Sequence, residues 1–282
     1  MVNVLSLFSG IGAFEKALDN LGIPYNLVGY CEIDKYASKS YSIIHGVPEK
    51  KNLRDVTKVT FYDILDTVDL VTYGFPCQDI SNAGKQKGFT DEDGNRTRSG
   101  LFFDALRIIN DYEPKFAIAE NVKALTSKKF SEEFRIVLES LEEIGYNNYW
   151  AVLNAKDFGI PQNRERVFII SIRKDIDKGF TFPNAVPLDI RLEDVLESTV
   201  DESFYLSDEV LNGLSESVGD VVKVREATVK GYAEASTGDS INLEHPNSKT
   251  RRGRVGKGVA QTLTTSCNQA VVVDEVEAFL ND

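Results

Sequence analysis

Val2-Asn3-Val4-Leu5-Ser6-Leu7-Phe8-Ser9-Gly10-Ile11-Gly12 opens the chain, and its reading sets the architecture. Val2 to Phe8 reads as a strand, Gly10 and Gly12 as a tight turn, and Ala13 to Leu21 as a helix. Glycines between a strand and a helix let the backbone approach a ligand and leave the helix N-terminus open to it. A glycine-rich turn also occurs in α/β folds that bind nothing there. The alternation continues down the chain. Leu27 to Cys31 is strand-like and Lys35 to Ile44 helical. Val68 to Tyr73 and Lys115 to Ala119 are apolar runs, and Glu132 to Ile144 has helical periodicity through Phe134, Val137, Leu138 and Leu141. Tyr149 to Leu153 and Val167 to Ile172 close the series. Strands alternating with helices predict an α/β, doubly wound, mostly parallel sheet of the Rossmann-like kind over residues 1–185. Residues 186–282 turn acidic, then rich in Gly, Ser, Thr and Asn with short alternating runs. They predict a smaller, irregular, β-rich domain.

At 282 residues and 42% hydrophobic content the chain can bury a large core. It has no run of about 18 apolar residues and no basic, cleavable leader, so a cytoplasmic protein without a membrane span is expected. Three separated cysteines, Cys31, Cys77 and Cys267, form no CxxC pair, and only His45 and His245 accompany them. That argues against a disulfide framework or a metal site. The net charge of −12 argues, taken alone, against a polyanion partner. Basic residues nevertheless gather at Lys249, Arg251, Arg252, Arg254 and Lys257, and again at Arg164 and Arg166. Such clusters are as often solvated loops as contact surfaces.

Gly74-Phe75-Pro76-Cys77-Gln78 follows the run ending at Tyr73, so Cys77 sits just past a strand end, displayed and able to act as a nucleophile if activated. Glu32, at the end of the second strand and twenty residues after Gly12, stands where nucleotide-binding α/β folds place a carboxylate for ribose hydroxyls. Asp34 beside it reads as the cap of the following helix. Asp55, before Val56, reads as lying at the end of a third, edge strand. Glu120, in Ala119-Glu120-Asn121-Val122, ends another apolar run and can serve as an acid; a capping or ion-paired glutamate is the competing reading. Gln162-Asn163-Arg164-Glu165-Arg166 precedes a strand. Two arginines at i and i+2 of an extended segment point the same way and suit a phosphate or carbonyl, or an ion-pair ladder with Glu165. Gly84 to Phe89 is a polar loop that can close over a ligand.

In this order, the stretches Phe8 to Gly12, Glu32, Asp55-Val56, Gly74 to Gln78, Glu120 to Val122 and Gln162 to Arg166 resemble the DNA cytosine-5 methyltransferases of prokaryotes and phages. The resemblance covers residues 1–175 and implies methyl transfer from S-adenosylmethionine to C5 of cytosine in duplex DNA. It assigns Cys77 as the nucleophile for C6, Glu120 as the acid at N3 and the exocyclic amine, and Arg166 to the carbonyl oxygen with Arg164 assisting. It implies cofactor contacts from Phe8, Gly10, Gly12, Glu32, Asp55, Val56, Pro76 and Leu101. A base inside a duplex cannot present C6, so the cytosine must flip out, with residues 82–95 as the lid. The resemblance makes 186–282 a target-recognition domain. DNA contacts are then expected from Gln78, Ser81, Lys85 and Lys87, and from Arg251, Arg252, Arg254 and Thr262, the last in a Thr262-Leu263-Thr264 element.

Family members carry two further elements after this point, one like Arg-x-Leu-Thr-Pro and one like Gly-Asn-Ser/Ala-Val. Neither is found before Asp282. Three readings follow: a truncated form, one part of a split enzyme with a complementing C-terminal subunit, or a member that binds without methylating. A restriction endonuclease is a further expected partner.

Overall fold

The computed structural model describes residues 1–76, 89, 97–207, 217, 218, 221–244, 248, 250–264, 266 and 268–273. Cys77, Gln78, Ser81, Lys85, Lys87 and Lys249 fall outside the described residues. The chain divides into two compact units, the first of Met1–Leu153 with Arg166–Pro183, the second of Asn154–Glu165 with Asn184–Asp282.

In the first unit β1 (Val2–Leu7), α1 (Ala13–Asn20), β2 (Tyr25–Cys31), α2 (Lys35–His45), β3 (Leu70–Tyr73), α3 (Phe102–Tyr112), β4 (Phe116–Val122), α4 (Ser131–Glu143) and β5 (Tyr146–Asn154) follow in order. After β6 (Gln162–Asn163), which belongs to the second unit, β7 (Glu165–Arg173) returns to the first. The sheet runs β2-β1-β3-β4-β7-β5. β1 is parallel to β2 and to β3, and β3 to β4, while β7 runs antiparallel to β4. The fold is therefore the Rossmann-like α/β arrangement with a mixed sheet.

Burial explains these choices. Val4, Leu5 and Leu7 of β1 are at most 1% exposed, and all four residues of β3 are buried. Near-continuous apolar strands of this kind suit a sheet covered on both faces. α3 buries Phe102, Ala105, Ile108 and Ile109, and α4 buries Phe134, Val137 and Leu141. Both sets recur at the three- and four-residue spacing of one helix face. Asp34 caps α2 by accepting the N–H groups of Tyr36 and Ala37.

Where three parallel strands begin, Asp69 ties them together. Its N–H donates to the Asn3 carbonyl at 2.9 Å, and its carbonyl accepts from the N–H of Phe116 at 3.0 Å. Its carboxylate accepts from the N–H of Asn3 and from the Lys115 ammonium. The Lys115 hydrogen bond, then the Asn3 N–H, lowers the Asp69 pKa from 3.8.

The second unit is built from short strands. β8 (Ser217–Val218), β9 (Val221–Arg225) and β10 (Tyr232–Ala235) form an antiparallel sheet. β11 (Ser240–Asn242) pairs antiparallel with β12 (Val255–Gly256) and β14 (Gln269–Val271). β13 (Ala260–Gln261) lies parallel to β6. Val224, Ala235 and Ile241 form its small core. Asp239 fixes the turns around it through the N–H groups of Ser236 and Gly258 and the Lys257 ammonium.

A carboxylate whose pKa falls on folding adds stability above its unfolded pKa, and that stability is lost as pH drops through the folded value. Asp69→Asn is expected to lower the thermal midpoint at neutral pH, with the gap closing below 3.8. A gap of constant size across a pH series of melts would contradict this.

Candidate active site

The turn after β1 is a shaped cradle. Phe8, Gly10 and Gly12 all take positive φ, at 54°, 55° and 87°. Gly12 caps α1 in the left-handed region. A Cβ there would lie 2.1 Å from His45 Nε2 and 2.8 Å from a Tyr41 ring carbon, so glycine is required twice over. His45, its side chain 2% exposed, seats the loop by a 3.0 Å hydrogen bond between Nε2 and the Ile11 carbonyl. A Cβ on Gly10 would meet nothing within 4 Å, so the backbone at that point faces open space.

Glu32 stands beside this cradle. Its Oε2 accepts the Gly10 N–H at 2.9 Å and its Oε1 accepts the Asp34 N–H at 2.8 Å. Each carboxylate oxygen retains acceptor capacity for a ligand hydroxyl. Asp55 does not end a strand. Residue 52 makes only an isolated bridge to Tyr30, and Asp55 instead caps the single 3₁₀ turn Val56–Lys58. The Thr57 hydroxyl, then its N–H, lowers the Asp55 pKa. Arg107 of α3 braces that turn by donating to the Val56 and Val59 carbonyls, and Val56 packs in the core.

Gly74, Phe75 and Pro76 leave β3 beside β4. A Cβ on Gly74 would lie 3.5 Å from the Glu120 carbonyl and 3.9 Å from its Oε2. Glu120 lies within β4 rather than at its end, because that strand continues to Val122. Antiparallel pairing sets Val122 opposite Arg166, and Arg166 Nε meets Glu120 Oε1 at 3.0 Å. Both side chains keep an exposed fraction, 27% for Glu120 and 17% for Arg166. Asn121, 3% exposed, donates from Nδ2 to the Phe75 carbonyl at 3.2 Å. The strand carrying the carboxylate thus holds the turn from which Cys77 departs. Phe75, Phe89 and Phe102 pack in one aromatic cluster, with Leu101 against the same core.

The other candidate residues separate from this group. Arg164 belongs to the second unit, where its N–H donates to Asn154 Oδ1 and its carbonyl accepts from Ala155. Thr262 donates to the Asn163 carbonyl at 2.9 Å, so the Thr262-Leu263 element is joined to the strand just ahead of Arg164. Arg251 pairs with Glu244, and Arg252 donates to the Ala227 carbonyl. Arg254 corrects the expectation of a DNA contact: it is 1% exposed and its guanidinium donates to the Glu244 carbonyl inside the unit. Cys31 is the buried free thiol of the described part. Burial, then Asp55, Asp63 and Glu32, pushes its pKa up to about 12, so it stays protonated and inert near neutral pH.

Sequence reasoning assigned no positioning role to His45, Asn52, Arg107 or Asn121, four side chains that hold these segments in place. Among the described residues no cluster of His, Cys, Asp and Glu could hold a metal ion. No helix of that part is long and apolar enough to cross a membrane.

A Rossmann-like sheet with a glycine cradle after its first strand and an acid–arginine pair beyond β3 has the form of the methyltransferase α/β fold. The family described as C-5 cytosine-specific DNA methylase matches residues 2–276, and the chain belongs to it. The orphan methyltransferase M.SPRI of Bacillus phage SPR is 36% identical over 303 residues, covering 96% of this chain and 66% of that protein. The orphan methyltransferase M.Rho11sI of Bacillus phage rho11s is 38% identical over 300 residues, covering 94% and 58%. The chain thus spans less than two thirds of the length of these two relatives. Among solved structures, the S. pombe Dnmt2 methyltransferase superposes with a TM-score of 0.59 at 28% identity, covering 75% of this chain and 66% of that one.

Gly12→Ala places a Cβ at positive φ, a cost of about 1–2 kcal/mol before any clash. Together with the 2.1 Å approach to His45, the substitution is expected to lower the thermal midpoint and abolish binding of S-adenosylhomocysteine in calorimetry. Unchanged binding would contradict the cradle assignment.

Proposed function

We propose that the chain transfers a methyl group from S-adenosylmethionine to C5 of a flipped-out cytosine in duplex DNA, through a covalent adduct between Cys77 and C6. The observation that carries this reading is the Glu120–Arg166 pair beside the Gly74–Pro76 turn that leads into Cys77. Family membership and relatives named as methyltransferases support it.

Cytosine C5 is a poor nucleophile. Attack of the Cys77 thiolate on C6 pushes ring electrons toward C5 and N3. Glu120 supplies the proton or hydrogen bond at N3 and the exocyclic amine, and Arg166 bonds the carbonyl oxygen, so charge that develops in the ring is met by groups already in place. Their mutual contact at 3.0 Å keeps both side chains oriented before the base arrives. After C5 is substituted and its proton removed, the ring regains its double bond and expels Cys77.

The residues present fit the cofactor. Glu32 suits the ribose hydroxyls, Asp55 and Val56 the adenine, and the turn at Phe8, Gly10 and Gly12, open at Gly10, the methionine portion, with Pro76 and Leu101 alongside. When bound, S-adenosylmethionine supplies an electrophilic methyl group. Residues 186–282, within the second unit, are proposed as the target-recognition domain, and Arg251, Arg252 and Thr262, together with Gln78, Ser81, Lys85 and Lys87, are proposed to contact the DNA. Contacts to phosphates would position the duplex. Arg164 is proposed to steady the segment that leads into Arg166, its backbone being held by Asn154 and Ala155.

Duplex DNA carrying 5-fluorocytosine blocks the final elimination and should trap a covalent adduct with the chain in the presence of S-adenosylmethionine. Cys77→Ser is expected to abolish the adduct. Arg166→Ala should slow its formation by about 10²–10³-fold, the loss typical of one donor to developing charge. An adduct that survives in Cys77→Ser overturns the assignment.

A further inference from the structure

We infer that Asn52 is a positioning residue that holds Glu32 and the Asp55 turn in one register, so that ribose and adenine are recognised by a single preset frame. The inference rests on the cofactor reading proposed above.

Asn52 lies just beyond β2, an edge strand of the sheet. Its backbone touches that strand only through an isolated parallel bridge to Tyr30 and the Leu53 N–H, which donates to the Tyr30 carbonyl at 2.7 Å. Its side chain does the rest. Oδ1 accepts the Glu32 N–H at 3.0 Å, and Nδ2 donates to the Glu32 carbonyl at 2.8 Å. The amide thereby pairs with one residue as the peptide of a neighbouring strand would. Nδ2 also donates to Ser38 Oγ of α2 at 2.8 Å, and Oδ1 also accepts the Arg54 N–H at 2.8 Å.

These four bonds use both donors and both lone pairs of the amide. No capacity is left for a ligand, so Asn52 acts through its neighbours and not by contact. On one side it fixes the backbone of Glu32, whose carboxylate is aimed by Gly10 and Asp34. On the other it holds Arg54, a non-glycine residue at φ 63°. That conformation is rare for a side-chain-bearing residue and persists where surrounding contacts impose it. It turns the chain into Asp55. A continuous path therefore runs from the glycine cradle through Glu32, Asn52 and Arg54 to the adenine-side turn.

The test is a mutant cycle on the full chain, read as calorimetric affinity for S-adenosylhomocysteine. Asn52→Ala is expected to weaken binding by about tenfold in the native background and by less than about twofold when added to a chain carrying Glu32→Ala and Asp55→Ala, because coupled residues lose the same interaction only once. Asn52→Asp keeps the shape but replaces both donors by acceptors, and it should bind no better than Asn52→Ala. In steady-state assays Asn52→Ala should raise the KM for the cofactor while leaving kcat and the KM for DNA near native. Losses that multiply across the cycle, native affinity in a folded Asn52→Ala, or unfolding of both Asn52 variants would overturn the inference and leave Asn52 a structural residue. Absence of binding by the unsubstituted chain would instead overturn the cofactor reading, and this inference with it.

Discussion

Glu120 and Arg166 meet at 3.0 Å because β7 runs against β4, so that the first residues of one strand lie beside the last residues of the other. In a wholly parallel sheet Arg166 would enter at the opposite edge, about 20 Å away across a seven-residue strand. The reversal therefore brings the arginine segment to the same edge as the turns after β1, β2 and β3. Those turns carry the glycine cradle, Glu32 and the approach to Cys77. The edge where parallel strands end is where open α/β sheets bind their ligands, and here one antiparallel strand adds a cation to it.

The same edge is held by polar side chains whose hydrogen bonds go to the backbone of its loops. Asn121 holds the Phe75 carbonyl, His45 the Ile11 carbonyl, Asn52 the Glu32 backbone, and Arg107 the turn after Asp55. Each spends its donors on a backbone carbonyl of a loop that has few regular hydrogen bonds of its own. A buried carbonyl left unpaired is costly, so these bonds define loop conformations as well as stabilise them. Preorganisation of this kind is what a site needs if it is to meet charge that develops only during reaction.

Much of this arrangement is legible in the residues themselves. Glycine turns, strand runs and the Glu–Asn–Val and Gln–x–Arg–x–Arg stretches are local signals, and the strands they flank form as their patterns predict. Helix α3 is different. Its buried Phe102, Ala105, Ile108 and Ile109 carry helical spacing, yet the helix is not among the elements expected between Tyr73 and Lys115. The supposed strand before Asp55 fails because a side chain, Asn52, replaces a backbone ladder there, and side-chain pairing at that distance leaves no periodic trace. Arg254 lies in a basic cluster that looks solvated. It is buried because Glu226 accepts its backbone N–H and the Glu244 carbonyl takes its guanidinium, contacts made across 28 and 10 residues of chain. Polar residues that act at long sequence separation are what local patterning cannot show.

The position of the methyl group tests the central claim most directly. Duplex DNA of mixed sequence would be incubated with the chain and methyl-deuterated S-adenosylmethionine, digested to nucleosides and resolved by mass spectrometry. An acid–arginine pair that grips the cytosine ring beside a cysteine predicts label in 5-methyldeoxycytidine alone, and none when Glu120 is replaced by alanine. Label in N4-methyldeoxycytidine or N6-methyldeoxyadenosine, or 5-methyldeoxycytidine formed equally well without Glu120, would contradict it.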